Sequence, residues 1–370
     1  MADYINIRGQ NIEVVASDPA NPTLGQIWYN STSNTLKGGG VTTAGSWASG
    51  GNLNTARYVL AATGTQTAAL AFGGYDTANQ TATEEYNGLS WTNSNPLNTA
   101  RNGLAGCGTQ TAGLAFGGNA GPAYTNVTEE YDGNSWANSN PLNTSRYGVG
   151  GCGTQTAGLA FGGETPGGLQ NATEEYDGNS WTNSNPLNTA RNQVKGAGTQ
   201  TAGLAFAGDA GGPTFISGAT EEYDGNSWTS VNSMNTARRL LASAGTQTAA
   251  LGAGGNNPPF TGITEEYDGI SWATSNPLNT GRSALAGCGI QTAALAFGGT
   301  TPGNTGATEE YDGTSWATSP GSLNTARQQL AGCGTQTAGL AFGGEGPSAT
   351  AATEEWTGAG SPTTVTITAS

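Results

Sequence analysis

The chain has 370 residues, enough for two or three ordinary domains or one large repetitive one, and its 61 Gly and 15 Pro lean by composition towards disorder. Twenty-six acidic against eleven basic residues, a net charge of -15, argue against a nucleic-acid partner, which needs clustered cations. The absence of His removes the commonest general base, the Ser-His-Asp and Cys-His nucleophile systems, and most zinc and copper sites.

In chain order, Met1 to about Gly45 stands apart from the rest of the sequence. "MADYINIRGQ" has neither the basic start nor the apolar core of a secretion signal, and no apolar run approaches the roughly 18 residues of a membrane span. The expectation is a soluble chain made in a cytoplasm, with no membrane insertion. "DYINIRGQNIEVVASDPANPTLGQIWYNSTSNTLKG" reads as a short alternating strand, a Pro-containing loop, and a hairpin with arms "QIWYN" and "NTLKG". So small a piece with so little apolar content would hardly be stable alone, which predicts an attachment module at residues 1–45.

From Ser46 onward one phrase recurs. Trp47, Trp91, Trp136, Trp181, Trp228, Trp272 and Trp316 mark a period of 44 to 47 residues, and Arg57, Arg101, Arg146, Arg191, Arg238, Arg282 and Arg327 follow each Trp at ten or eleven. Copies within one molecule must satisfy one local geometry, so repetition predicts order where composition does not. Between Arg101 and Ala137, "LAGCG", "AGLAFGG", "VTEEY" and "SWA" read as four short strands, separated by "TQT", a variable loop and "DG". Asp-Gly between strand-like runs predicts a two-residue type I′ turn, and each unit becomes a four-stranded antiparallel meander.

Such a meander cannot bury both apolar faces alone, whereas radial stacking of copies can. The prediction is an all-β chain: a seven-bladed β-propeller over 46–360, the small N-terminal β segment, and a C-terminal strand or tail at 361–370. The Gly- and Ala-rich first strand suits the crowded axis, and Trp and Tyr on the outer strands fill the widening wedge between blades. Six copies of the phrase are intact and the seventh is split between "TEEW", Thr353 to Trp356, and "SWASGGNLNTAR", Ser46 to Arg57. A closed ring whose last blade takes its fourth strand from around Trp47 explains the split and removes the sheet edge. "TTVTITAS", Thr363 to Ser370, also alternates and is the competing source of that strand.

Little in the repeat reads as chemistry. Cys107, Cys152, Cys288 and Cys333 share the phrase "GCG", with Thr63, Ala197 and Ala244 in the same slot of other copies. Equivalent positions should face their own units, which predicts free buried thiols. No helix or Lys-Ser/Thr follows the Gly pairs, so they serve close packing and positive φ rather than phosphate binding. Adjacent Glu residues of "TEE" point to opposite faces of a strand and cannot converge as an acid–base pair. Seven Arg beside seven Glu pairs predict a repeated internal ion pair. No catalytic residue, assigned metal ligand or cofactor is expected; the Asp-Gly turns leave calcium binding open, although no twelve-residue loop of alternating carboxylates is visible.

The order Arg, small-residue strand, apolar strand ending in Gly-Gly, loop, Glu-x-Tyr-Asp, then Trp resembles the kelch repeat. "LNTARNGLAGCGTQTAGLAFGGNAGPAYTNVTEEYDGNSW" carries it throughout, and the resemblance covers about Ser46 to Trp356. It departs at Ala207 in "FAGD", at Asn87 for Asp and at Trp356 for Tyr. The resemblance implies a kelch-type propeller with internal Arg–Glu pairing. Sialidase-like propellers space Asp, Gly and Trp differently, and copper-radical oxidases of kelch architecture need His ligands, so neither fits.

"LGQIWYNSTSNTLKG" is similar to a small N-terminal module of tailed-phage fibre and virion proteins, and the Gly-Thr-Gln-Thr type of repeat resembles those of marine cyanophage structural proteins. The resemblance implies a non-enzymatic virion protein, assembled in a host cytoplasm. It would be anchored to other virion proteins through its N-terminal segment, with the propeller displayed outward as a tail fibre or other appendage. A capsid or tail decoration engaged only in virion contacts is the alternative. The segments between Gly-Gly and Thr-Glu-Glu differ in every copy and should emerge on one face, where binding usually resides. Tyr75, Tyr124, Phe215 and Phe260 in four of them are the candidate binding residues. Aromatic rings amid Asn, Asp and Thr suit a host cell-surface glycan or protein. A homo-oligomer is compatible with the sequence, although no coiled-coil heptad is visible.

Overall fold

The computed structural model describes residues 12–19, 22–23, 25–41, 44–212, 215–360 and 362–367. The beginning of the strand expected from "DYINIR" lies outside them. Among the described residues, short strands broken by turn residues form seven four-stranded antiparallel sheets, blades I to VII, whose innermost strands begin at Ala61, Ala105, Gly150, Lys195, Ala242, Ala286 and Ala331. Each innermost strand neighbours the next, and that of blade VII neighbours that of blade I, so the ring is closed. The fold is a kelch-type β-propeller.

Blade VII joins both parts of the chain. Its outer strand is Ser46–Ser49, paired antiparallel with Thr353–Thr357 in the register Trp47 to Trp356 and Ser46 to Thr357. The other alternating segment goes elsewhere: Pro362–Thr366 pairs with Thr35–Val41 in a separate sheet ordered Glu13–Val15, Ile27–Asn30, Thr35–Val41, Pro362–Thr366. Inside this terminal sheet Trp28 is fully buried, and its indole N–H donates to Asp18 at 2.9 Å.

The repeated residues are tied up in bonds between blades. Every blade's Trp donates its indole N–H to the Thr of the preceding blade's "TEE", from Trp136 to Thr83 at 2.9 Å round to Trp91 to Thr353 at 2.9 Å and Trp47 to Thr308 at 2.8 Å. Its ring packs on the preceding Phe, as Trp181 does on Phe116 with centroids 5.0 Å apart. Blade V alone has Ala253 where the other six carry Phe, so Trp316 packs on a methyl group instead. The Gln of "TQT" reaches back across the gap: Gln155 Nε2 donates to Gly113 O at 3.1 Å and Tyr131 O at 2.6 Å. All seven Gln residues make such a bond, including Gln66 to blade VII. At roughly 1 kcal/mol net per hydrogen bond, these bolts secure an interface that apolar packing fills.

The two Glu of each pair do part company. The first is buried against the Arg of its own blade, as Glu174 is against Arg146 at 2.7 Å, and all seven such ion pairs form. Desolvation pulls each of these guanidinium groups below the usual Arg pKa, and the facing carboxylate offsets part of that pull. The second Glu accepts the phenol of the next blade's Tyr, for example Tyr311 to Glu266 at 2.6 Å. Burial, then that hydrogen bond, raises these tyrosines above the ordinary phenol range. Six blades make the bond. In the seventh Trp356 replaces Tyr, the Ala359 amide hydrogen-bonds Glu310 instead, and burial pushes that carboxyl upward.

Two expectations need correction. The Asp-Gly turn is not of the two-residue type: Asp132 to Ser135 lie between the strands, only Gly133 has positive φ, and Asp132 Oδ1 accepts the amides of Asn134 and Ser135 at 2.9 and 2.8 Å. The carboxylate organises the turn, so the second left-handed residue of a type I′ turn is not required, and these bonds lower the Asp132 pKa. The four cysteines are free thiols, three of them buried and Cys333 half-buried, but they do not face their own units. Cys107 Sγ lies 3.4 Å from Thr154 O of the next blade, and Cys333 closes the same contact onto Thr65 O of blade I. The inner strands are close enough that a side chain leaving one reaches the next.

Candidate functional site

Strand direction sorts the loops onto two faces. The "TQT" and "DG" turns join the first strand to the second and the third to the fourth, at one face. The variable loops join the second to the third and emerge at the other face, beside the connectors that carry Arg into each blade. A tether fixes the base of each loop, because its first residue bridges to the residue after that Arg: Tyr75 to Tyr58, Asn119 to Asn102, Glu164 to Tyr147, Asp209 to Asn192, and likewise round the ring. In blade VII the third strand ends at Thr357 and the outer strand begins at Ser46, both at the "DG" face, so the terminal sheet is joined to the propeller opposite the variable loops.

The loop face has a floor. The second residue after each Arg, Val59, Gly103, Gly148, Gln193, Leu240, Ala284 and Gln329, has φ between 50 and 64°. In this left-handed turn six of the seven amides donate to the carbonyl of the same position one blade back, including Gly103 to Val59 at 3.1 Å and Val59 to Gln329 at 3.3 Å. Five of the seven are not Gly, and left-handed Val59 is a strained backbone held by this annulus.

Around this floor the loops are stitched to their neighbours. Tyr124 stacks on Tyr147 with ring centroids 5.4 Å apart and planes 18° apart, and its hydroxyl donates to Glu164 Oε1 at 2.5 Å. Glu164 Oε2 accepts from Asn192 at 2.6 Å, which links blades II, III and IV. The bond to Glu164, then burial, raises the Tyr124 pKa to about 12. Asn102 donates to Asn79 Oδ1 at 2.5 Å, and Arg239 pairs with Asp209 at 2.7 Å. Between the loops of blades II and III lies a cleft of about 260 Å³ lined by Asn119, Pro122, Tyr124 and Pro166, with one aromatic wall and polar edges.

The four aromatic residues singled out by sequence all reach this face, but they do not come together. Tyr75 meets Tyr58 edge-on with centroids 5.7 Å apart, Tyr124 stacks on Tyr147, Phe260 is half-buried, and Phe215 is 55 % exposed. Among the described residues no ring contact joins any two of the four. Sequence reasoning missed Tyr58, Tyr147, Glu164 and Asn192. A signal was present: the residue after each Arg reads Tyr, Asn, Tyr, Asn, Arg, Ser and Gln within an otherwise constant phrase.

Among the described residues no three His, Cys, Asp or Glu side chains gather as a metal-binding group. No family model and no curated protein matches the chain. Among solved structures it is similar to "Structure of YjhT", with a TM-score of 0.57 at 12 % identity over 74 % of this chain and 100 % of that one. YjhT is a kelch-type propeller, and at this identity the likeness concerns the fold.

Proposed function

We propose that the protein is a non-enzymatic structural component of a phage virion, a tail fibre or other appendage, whose variable-loop face binds a host-surface glycan or protein. The observation that carries this reading is the opposition of the two ends: the terminal sheet joins the propeller at one face and all seven variable loops crown the other. Such a body can be held by its ends while its variable surface points away. The repeated phrase supports the same reading, because its Trp, Tyr, Gln and second Glu hold neighbouring blades together and its Arg and first Glu pair inside one blade, which leaves the loops free to vary. The N-terminal stretch "LGQIWYNSTSNTLKG", similar to phage-fibre modules, supplies the virion attachment.

The cleft beside Tyr124 suits a sugar ring, with an aromatic face to stack on and Asn119 as a polar partner. Purified protein should bind host cells, and Tyr124→Ala together with Phe215→Ala should reduce that binding about tenfold or more while thermal stability changes little. Unchanged adsorption would overturn the receptor role. A loop face pressed flat against the shell in images of intact particles would establish the decoration protein in its place.

A further inference from the structure

We propose that the mouth of the axial channel, inside the ring of variable loops, binds a small aliphatic carboxylate through an ion pair with Lys195. The site adjoins the loop cleft through Tyr147, which lines it and stacks on Tyr124, but the inference does not depend on what the loops contact. A pocket of about 280 Å³ opens on the axis, lined by residues of six blades. One side of its wall is apolar, built by Leu60, Leu241, Leu285 and Leu330, which succeed one another round the ring.

One position breaks the repetition. Where blade IV has Lys195, the other innermost strands begin with Ala61, Ala105, Gly150, Ala242, Ala286 and Ala331. Lys195 lines the pocket and stays in contact with the channel although the converging strands enclose it. Among the described residues no carboxylate lies within ion-pair distance of its ammonium group. Burial without a counter-ion pulls its pKa below that of an ordinary lysine. Beside it Gln193 lines the same pocket, and its Oε1 is buried with no hydrogen-bond donor. A half-buried cation without an anion and a buried acceptor without a donor lie at one cavity, and the acceptor is costly when left unmatched.

The ligand class follows from this arrangement. A single cation in a protein of net charge -15 favours a monoanion over phosphates or other multivalent anions, which the surrounding field repels. A compact ammonium matches a carboxylate. The leucine wall takes an aliphatic body, and a hydroxyl beside the carboxylate would complete Gln193.

Isothermal titration of the full chain at low ionic strength with hexanoate, its α-hydroxy analogue and hexylammonium tests the assignment. Hexanoate should bind, the α-hydroxy acid should bind at least as well, and hexylammonium should not. Lys195→Ala places there the residue that five other blades carry, so it preserves the fold, and Lys195→Met keeps the length without the charge. Both should weaken hexanoate binding about tenfold or more, the scale of losing one partner of an enclosed charge pair. Equal affinity in wild type and the Met variant, or no hexanoate binding by wild type at millimolar concentration, would overturn the proposal.

Discussion

Replacing Arg146 by Met tests whether the repeated ion pair supports the blade. Arg146 and Glu174 are both fully buried, and the guanidinium donates to Gly162 O at 2.8 Å, Ala172 O at 2.7 Å and Glu174 Oε1 at 2.7 Å. The Met variant leaves a buried carboxylate held only by Asn143, whose amide and side chain donate at 2.6 and 2.9 Å, and deprives two carbonyls of their donor. Removing one partner of a buried pair costs about 3–5 kcal/mol. With an unfolding entropy of about 2.1 cal/mol/K per residue over a propeller of about 300 residues, that is a fall in Tm of about 5–8 °C by calorimetry. Adding Glu174→Gln removes the stranded charge but keeps an acceptor for Asn143, so the double variant should regain about 2 kcal/mol, roughly 3 °C. A shift below about 1 °C for the single variant, or a double variant that melts lower still, would rule out this role for the pair.

Blade V offers the opposite test. Ala253→Phe puts back the ring that the other blades hold, over Gly287, where blades II, III, IV and VII have Gly106, Gly151, Gly196 and Gly332 beneath the preceding Phe. A small cavity lined by Ala253, Leu251 and Trp316 is already there, so Tm should rise, by about 1–2 kcal/mol of stabilisation; a fall would show that the gap is structurally required. The Cys107 and Cys152 thiols test burial at the axis: desolvation raises both to about 12, so at pH 8 about a thousandfold less thiolate is present than in a free cysteine of pKa 9. Disulfide-exchange labelling of these two in the folded protein should therefore be slow until denaturant is added, and fast native labelling would contradict the packing.

What could be read in the sequence were the relations that recur at fixed spacing inside one copy. Arg146 and Glu174 lie on the same repeat, and the break at "TEEW" and "SWAS" already announced the shared blade. What could not be read were contacts from one copy to the next. Gln155 looks like an ordinary polar turn residue until blades II and III stand side by side, and the second Glu finds its Tyr in another repeat. The candidate site was legible in part: the variable loops named the face, but only the tertiary fold sets Tyr124 on Tyr147 and binds it to Glu164. Lys195 was hidden because its meaning depends on the pocket that residues of six blades form around it.

The common loop face exists only if the ring closes through Ser46–Ser49. Ser46 and Thr357 are directly paired across that seam and both are exposed, so cysteines placed there disturb little. Mild oxidation of Ser46→Cys/Thr357→Cys followed by mass spectrometry reads the closure itself. A shut ring should give an intramolecular 46–357 disulfide in nearly every molecule and stability raised by up to about 5 kcal/mol, as expected for so long a closed loop. Thiols that stay free, or link only between molecules, would mean that the two ends do not share a blade.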